Sequence, residues 1–210
     1  MSQVRLIIGL LAVSASAADP RLEELLHAVE SHYNDAKTLQ VLFQEDYTAP
    51  NKPRATDRGL LMLRKPGRML WQYSQPPGKV VLSDNKFLWV YTPSDNKAQQ
   101  IKLQETDDMR APLAFLLGKL DFSKEFKNIQ TRPEGGDTRI LAEPKNDNLP
   151  YSAVEFLVTR DSRIREVKVT GFDNSVLDFV FDQERLNPPL DAKLFQFQLP
   201  KGAELVPAGQ

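Results

Sequence analysis

Two histidines are the side chains of this sequence best suited to acid–base or metal chemistry. They are His27 and His32, five positions apart in a segment with helical spacing. A helix turns by about 100° per residue, so the two imidazoles would lie about 140° apart around its axis and would not converge on one ion. Zinc sites need converging thiolates, imidazoles or carboxylates, and the chain has no cysteine. We therefore expect neither a metal nor a cofactor.

Short catalytic motifs are also absent from the sequence. It contains no nucleophile elbow, no glycine-rich phosphate loop and no dinucleotide fingerprint. Acidic pairs such as Asp107 and Asp108 are typical of a solvated surface. One enzymatic alternative stays open, a hydrolase that uses two carboxylates, because its two acids need not be close in sequence. The sequence favours a binding protein over an enzyme.

Large apolar side chains are concentrated in residues 59–91. They occupy alternate positions of two predicted strands, which places each set of three on one face of its strand. These side chains are Met69, Trp71, Tyr73, Phe87, Trp89 and Tyr91. Turns are predicted at 65–67 and 76–78, because proline removes a ladder donor and glycine admits positive φ. The six side chains are either ordinary core or the wall of a ligand cavity, and alternation alone does not distinguish the two.

The other predicted elements are helices that cover a sheet. A helix is predicted from residue 20 to about residue 34, with Asp19 as its cap and an apolar stripe that includes Leu25 and Val29. A second, very apolar helix is predicted at 112–118, and residues 112–120 and the first helix are either packed core or movable lids. Further strands are predicted at 38–47, 58–64, 98–103, 128–132, 138–143, 152–159, 164–170 and 176–181, with a helical turn and a last strand in 190–200. Roughly ten strands with short connections predict an antiparallel barrel or a strongly curved sheet.

Residues 1–18 have the pattern of a secretory signal, with cleavage predicted after Ala17 or Ala18. The apolar run at 6–13 is shorter than the roughly 20 residues that span a bilayer. Residues 19–210 are predicted to form one domain, and the net charge of −1 indicates no nucleic-acid partner. Since there is no cysteine, the exported protein would have neither a disulfide nor a lipid on an N-terminal cysteine.

Four short motifs, in order, resemble the periplasmic outer-membrane lipoprotein carrier family, LolA. The resemblance covers residues 22 to about 206, and the signal and the lack of cysteine agree with it. The motifs are residues 38–44 (TLQVLFQ), residues 59–73 with Lys65-Pro66-Gly67-Arg68, Trp71 and Tyr73, residues 83–91 (SDNKFLWVY), and residues 191–195 (DAKLF).

The resemblance implies a mainly β fold with some α structure, an unclosed antiparallel β-barrel of about eleven strands with helical lids over an apolar cavity. It implies a periplasmic chaperone for acylated lipoproteins, which are received from an inner-membrane lipoprotein-releasing transporter and delivered to an outer-membrane receptor, LolB. Because LolB is itself acylated on cysteine, this cysteine-free chain is similar to the carrier and not to the receptor. We expect it to act as a monomer.

The lipid cavity is predicted to be lined by the first helix, the central strands and the second apolar segment. The predicted lining residues are Leu25, Val29, Val41, Phe43, Leu61, Met69, Trp71, Tyr73, Phe87, Trp89, Tyr91, Leu113, Leu116 and Leu117.

The turn before Pro66 is the predicted gate. The resemblance implies a cation there that reaches lid carbonyls and holds the empty cavity shut. The family's arginine is replaced by Lys65, whose point charge would make a weaker clamp. Arg64 would need a register change or a bulge to take its place. The alternative is that Lys65 and Arg64 are solvated turn charges.

Two further binding functions stay open for this fold. One is transport of another lipid, a glycolipid or a phospholipid. The other is an envelope-stress regulator, although 210 residues leave no room for the second domain that such regulators carry. A close pair of carboxylates buried in the cavity would favour the hydrolase.

Overall fold

The computed structural model describes residues 20–102, 120–147 and 149–207. The first half contains helix α1 (Pro20–Asn34) and the strands β1 (Thr38–Thr48), β2 (Ala55–Arg64), β3 (Arg68–Gln75), β4 (Val80–Asp84), β5 (Phe87–Thr92) and β6 (Lys97–Lys102). The second half contains the short helix α2 (Phe122–Glu125) and the strands β7 (Phe126–Glu134), β8 (Asp137–Pro144), β9 (Tyr151–Val158), β10 (Ile164–Gly171) and β11 (Val176–Leu186). A 3₁₀ turn (Ala192–Phe195) and β12 (Glu204–Pro207) follow.

The twelve strands of the described residues form one open, curled sheet in the order β12-β6-β5-β4-β3-β2-β1-β11-β10-β9-β8-β7. Two antiparallel meanders, β1 to β6 and β7 to β11, are joined where β1 pairs with β11. Strand β12 is added at one edge, parallel to β6. This confirms the predicted mainly β, unclosed fold, with twelve strands instead of about eleven.

The two faces of the sheet have different partners. The inner face carries the main core, which is continuous with side chains of α1 and α2 such as Val29, Tyr33 and Phe122. The outer face carries a smaller cluster in which Met62, Leu70 and Leu82 pack against Phe195 of the 3₁₀ turn. Because successive side chains of a strand point to opposite faces, each strand contributes to both.

Local patterns in the sequence predicted the positions of most of these helices, strands and turns. Helix α1 and the turns at 65–67 and 76–78 are where they were predicted. Strand β2 begins at Ala55, three residues before the predicted start, because Ala55 pairs with Tyr47 of β1. The predicted signal at 1–18 and the helix at 112–118 lie outside the described residues.

The predicted last strand, ending at residue 200, is wrong. Residues 196–203 have no strand, and β12 begins at Glu204 instead. Its register places Leu205 beside Ala98 of β6, about a hundred positions earlier in the chain. A pairing between such distant segments leaves no local pattern in the sequence.

Candidate functional site

The inner face has an apolar row that crosses four strands. Leu61 of β2 lies opposite Val41 of β1 and Trp71 of β3, and Trp71 lies opposite Val81 of β4. Val41, Leu61 and Trp71 are buried, and Val81 packs against them. Cross-strand neighbours of this kind are in contact on one face, so the row is a continuous apolar wall.

Aromatic rings extend this wall toward β11. The Phe43 ring makes edge contacts with Trp71 (ring centroids 4.7 Å apart) and with Tyr73 (5.1 Å). Trp71 also contacts Phe179 of β11 at 5.6 Å. Gly59 makes room for this packing, because a Cβ there would meet the Gln72 carbonyl oxygen and would lie 2.8 Å from the Phe43 ring.

Helix α1 lies against the same wall through the stripe that predicted the helix. Val29 and Tyr33 are buried in the core that contains Trp71, and Leu25 packs against it. Met69 also packs against this core. The structure therefore brings together one set of the predicted lining residues on the inner face: Leu25, Val29, Val41, Phe43, Leu61, Met69, Trp71 and Tyr73. Leu113, Leu116 and Leu117 lie outside the described residues.

Phe87, Trp89 and Tyr91 lie on the other face, so their assignment to the cavity wall is corrected. Trp89 lies opposite Leu82, belongs to the outer cluster and stacks on Phe197 with ring centroids 4.7 Å apart. The tight turn between β4 and β5 sets this register, and it places Val90 opposite Val81 of the inner wall. In the sequence, only the apolar character of Leu88 and Val90 indicated that these positions of β5 could face the inner wall in place of 87, 89 and 91.

The Lys65 side chain reaches the C-terminal end of α1. Its ammonium donates to the carbonyl oxygens of Tyr33 (2.7 Å) and Asn34 (2.6 Å). Burial lowers the pKa of Lys65. A small cleft lies beside this contact, lined by residues that include Ala36, Leu39 and Leu63.

Arg64 points to the opposite side of the sheet. Its Nη1 donates to the carbonyl oxygen of Leu190, 2.8 Å away, in the segment before the 3₁₀ turn. The two cations of this turn therefore hold different parts of the chain, Lys65 the helix α1 and Arg64 the C-terminal segment.

Sequence reasoning missed a second attachment of α1, at Glu184 of β11. Glu184 accepts a hydrogen bond from the Tyr33 hydroxyl (2.8 Å) and is 2.7 Å from Nε2 of His32. The Tyr33 hydroxyl in turn accepts from the backbone N–H of Ile164 (2.7 Å). Glu184 is 151 positions from Tyr33, so no local motif could have indicated the contact.

Two further contacts join α1 to the segment that leads into α2. The Asn34 side chain donates to the carbonyl oxygen of Leu120 (2.8 Å) and accepts from its N–H (2.9 Å). Glu30 accepts from the N–H of Phe122 at 2.8 Å. The C-terminal half of α1 is therefore fixed by polar contacts, whereas its N-terminal half touches the core through Leu25 and Leu26.

A polar group lies at the far end of the inner wall. Glu45 of β1 lies opposite Asp57 of β2 and accepts a hydrogen bond from the Tyr73 hydroxyl (3.1 Å). Asp57 forms an ion pair with Lys79 at 2.6 Å, and the Lys79 ammonium lies 4.2 Å from the centre of the Tyr73 ring. Burial raises the pKa of Glu45, and Lys79 acts in the opposite direction.

Within the described ranges, no group of three or more histidine, cysteine, aspartate or glutamate side chains is arranged to hold a metal ion. His32 is engaged with Glu184, and His27 is exposed. The described helices include none that is both long enough and apolar enough to cross a membrane.

The family model and the curated relatives that match this chain carry the same description. The family model described as outer membrane lipoprotein carrier protein LolA matches residues 34–198. The outer-membrane lipoprotein carrier protein of Chromobacterium violaceum is 26% identical over 93% of both chains. That of Pseudomonas aeruginosa PAO1 is 24% identical over 96% of both chains. A solved structure, an uncharacterized conserved protein of Thermus thermophilus, shares the fold with a TM-score of 0.52 at 15% identity, over 89% of this chain and 99% of the other.

Proposed function

Because the chain belongs to the LolA family of outer membrane lipoprotein carrier proteins, we propose that it carries lipoproteins by binding their acyl chains on the inner face of its sheet. The observation that supports this site is the apolar wall from Val41 to Val81 with α1 lying against it. Wall and helix bury one another when no cargo is bound. Acyl chains would take the place of the helix side chains.

This exchange accounts for binding that is both strong and reversible. Each methylene removed from water contributes about 0.8 kcal/mol, so part of one acyl chain already gives substantial affinity. The cargo must displace the contacts of Leu25 and Val29 with the wall, which offsets part of that gain. The carrier then releases its cargo to a partner that offers a slightly better apolar surface.

Lys65 is proposed as the gate of this site. Its two hydrogen bonds to α1 carbonyl oxygens favour the state in which the helix lies on the wall. An ammonium is a point charge without the planar fork of a guanidinium, so its hold on two carbonyls is looser than that of arginine. Arg64 supports the gate indirectly, because it holds the C-terminal segment on the outer side of the same turn.

We also propose where in the cell envelope the protein acts and which partners it meets there. Residues 1–18 would be removed after Ala17 or Ala18, and residues 19–210 would act as one monomeric domain in the periplasm. An inner-membrane lipoprotein-releasing transporter would supply the cargo, and an outer-membrane lipoprotein receptor would accept it. The family is one of carriers and not of enzymes. The hydrolase alternative lacks a free carboxylate pair at Glu45 and Asp57, since Asp57 is ion-paired with Lys79.

Mass spectrometry of the protein purified from its native periplasm tests the function. Acylated lipoproteins or their lipid-modified N-terminal peptides are the expected bound species. Bound glycolipid or phospholipid in their place would favour the alternative carrier. Val81→Gln, on the wall itself, should lower the amount bound, whereas Leu42→Gln, at an exposed position of the outer face, should not.

A further inference from the structure

Tyr151 places a polar atom inside the apolar core of the inner face. It begins β9, only 3% of its surface is exposed, and it belongs to the same core as Phe43 and Trp71. Its hydroxyl oxygen is buried and has no hydrogen-bond partner among the residues that the structure describes. Buried hydroxyl groups are normally paired, because an unpaired one has lost its water without compensation. This donor is therefore available to a ligand.

An apolar row joins Tyr151 to the wall. Val154, the next core residue of β9, lies opposite Val169 of β10, which lies opposite Leu177 of β11. Strand β11 also carries the ring that contacts Trp71 of the wall. Strand β9 is three strands away from β1, about 14 Å at the usual strand spacing. An extended acyl chain that begins at Tyr151 can therefore lie across the inner face and reach the wall.

The surroundings of the Tyr151 hydroxyl favour a neutral acceptor. Burial, followed by the nearby Glu125 carboxylate of α2, raises the pKa of Tyr151, so the hydroxyl keeps its proton and is a donor at neutral pH. The same carboxylate repels an anion, so a fatty-acid carboxylate or a phosphate is a poor partner. An ester carbonyl is neutral and only accepts, whereas an amide would also bury an N–H that needs a further acceptor.

We propose that Tyr151 forms a subsite for the ester carbonyl of a glyceryl-bound acyl chain whose alkyl part lies along the inner face. The inference rests on the proposed function, since it places acyl chains on this face. The bound ester gives the hydroxyl the acceptor that the protein does not supply. Fully acylated lipoproteins and diacyl phospholipids both carry this bond, so the acyl ester is the chemistry that the subsite recognises.

Two matched lipopeptides test the subsite. Both are palmitoylated on the cysteine nitrogen, and the glyceryl group carries two palmitoyl esters in one and two hexadecyl ethers in the other. Calorimetric titration of the full chain should give about fivefold tighter binding of the ester, the size of one neutral hydrogen bond. In Tyr151→Phe the ratio of the two affinities should fall to about one. Tyr91→Phe removes a hydroxyl that donates to Asn96 on the outer face and should leave the ratio as in the parent.

Urea unfolding without ligand separates this role from a structural one. Since the hydroxyl makes no hydrogen bond within the described chain, Tyr151→Phe should unfold at the parental urea concentration or above it. A lower midpoint would show that the hydroxyl already has a partner in the fold and would overturn the subsite.

The titrations also separate the two proposals and the two sources of the ester. Equal affinities for ester and ether in the parent protein, or a preference that persists in Tyr151→Phe, would overturn the subsite and leave the carrier function standing. Failure of the parent to bind either lipopeptide would overturn acyl binding on the inner face and, with it, the subsite. The same comparison with dipalmitoyl and dihexadecyl phosphatidylglycerol assigns the subsite to both sources if the ester is preferred there too, and to lipoproteins alone if it is not.

Discussion

Trp71 and Trp89 lie on opposite faces of the same sheet. Trp71 is buried in the inner wall, in edge contact with Phe43, whereas Trp89 stacks on Phe197 in the outer cluster. The Trp89 indole also donates to Asp84 at 3.0 Å. The two tryptophans of the chain therefore report on two different surfaces.

Single-tryptophan variants should separate these surfaces. In Trp89→Phe the remaining Trp71 should change its emission when an acylated peptide binds, because the ligand replaces its neighbours on the wall. In Trp71→Phe the emission of Trp89 should stay nearly constant. Titration of both variants, followed by fluorescence, makes the comparison, and a response confined to Trp89 would place the ligand on the outer face.

The hydrogen bonds of Lys65 to α1 predict a change in transfer rate. Lys65→Leu should keep the fold and release cargo more slowly, by up to about tenfold. The closed state that competes with the cargo loses a charge-assisted hydrogen bond, which contributes roughly 1.5–3 kcal/mol and which water replaces in part. Lys65→Arg keeps a cation that can reach both carbonyl oxygens, so it should release cargo at least as fast as the parent. Transfer of a labelled lipoprotein from carrier to acceptor measures the rate.

Arg64→Leu removes the other cation of this turn, which holds the C-terminal segment and not α1, so it should change the transfer rate much less than Lys65→Leu does. Loading and unloading of Lys65→Leu at the parental rates would rule out the gate.

Glu184 should stabilise the closed position of α1. Glu184→Ala removes the partner of His32 and one hydrogen bond of Tyr33, so the C-terminal turn of α1 should open more often. Amide hydrogen exchange, followed by mass spectrometry, should be faster in α1 by roughly tenfold for a loss of about 1.4 kcal/mol. Asp182→Ala, two residues earlier on β11, is the control. Parental exchange of α1 in Glu184→Ala would show that the helix is held elsewhere.

Asp46 predicts a pH-dependent contribution to stability. Its hydrogen bond with Arg54, followed by those with Thr56 and Gln44, lowers its pKa to about 2 from the usual 3.8. A carboxyl group whose pKa is lower in the folded state than in the unfolded state stabilises the fold at pH values above its unfolded-state pKa. This stabilisation is lost as the pH falls through its folded-state pKa. The stabilisation should be complete above about pH 5, small at pH 2 and absent below about pH 1.

Urea unfolding of Asp46→Asn tests this window. At pH 7 the variant should be less stable than the parent by about 1–2 kcal/mol, and the difference should shrink as the pH is lowered from 4 toward 2. Asp182→Asn, with an exposed carboxylate, should show a much smaller difference at either pH. A constant deficit for Asp46→Asn across the range would assign its effect to packing and not to charge.

Several parts of the site were predictable because their signals are local. The apolar stripe of α1 has the helical period, so the sequence predicted both the helix and the face with Leu25 and Val29. Proline and glycine predicted the turn at Lys65, and alternation predicted that Met69, Trp71 and Tyr73 share a face.

The sequence by itself therefore determined the family, the main elements and which side chains of a strand lie together, since each depends on neighbours along the chain. Only the tertiary structure decided that Trp71 faces inward and Trp89 outward, because alternation is the same whichever face is buried. The contact of Tyr33 with Glu184 and the pairing of β12 with β6 also needed the fold. They join residues about a hundred or more positions apart, and such proximity is created by sheet pairing and not by local spacing.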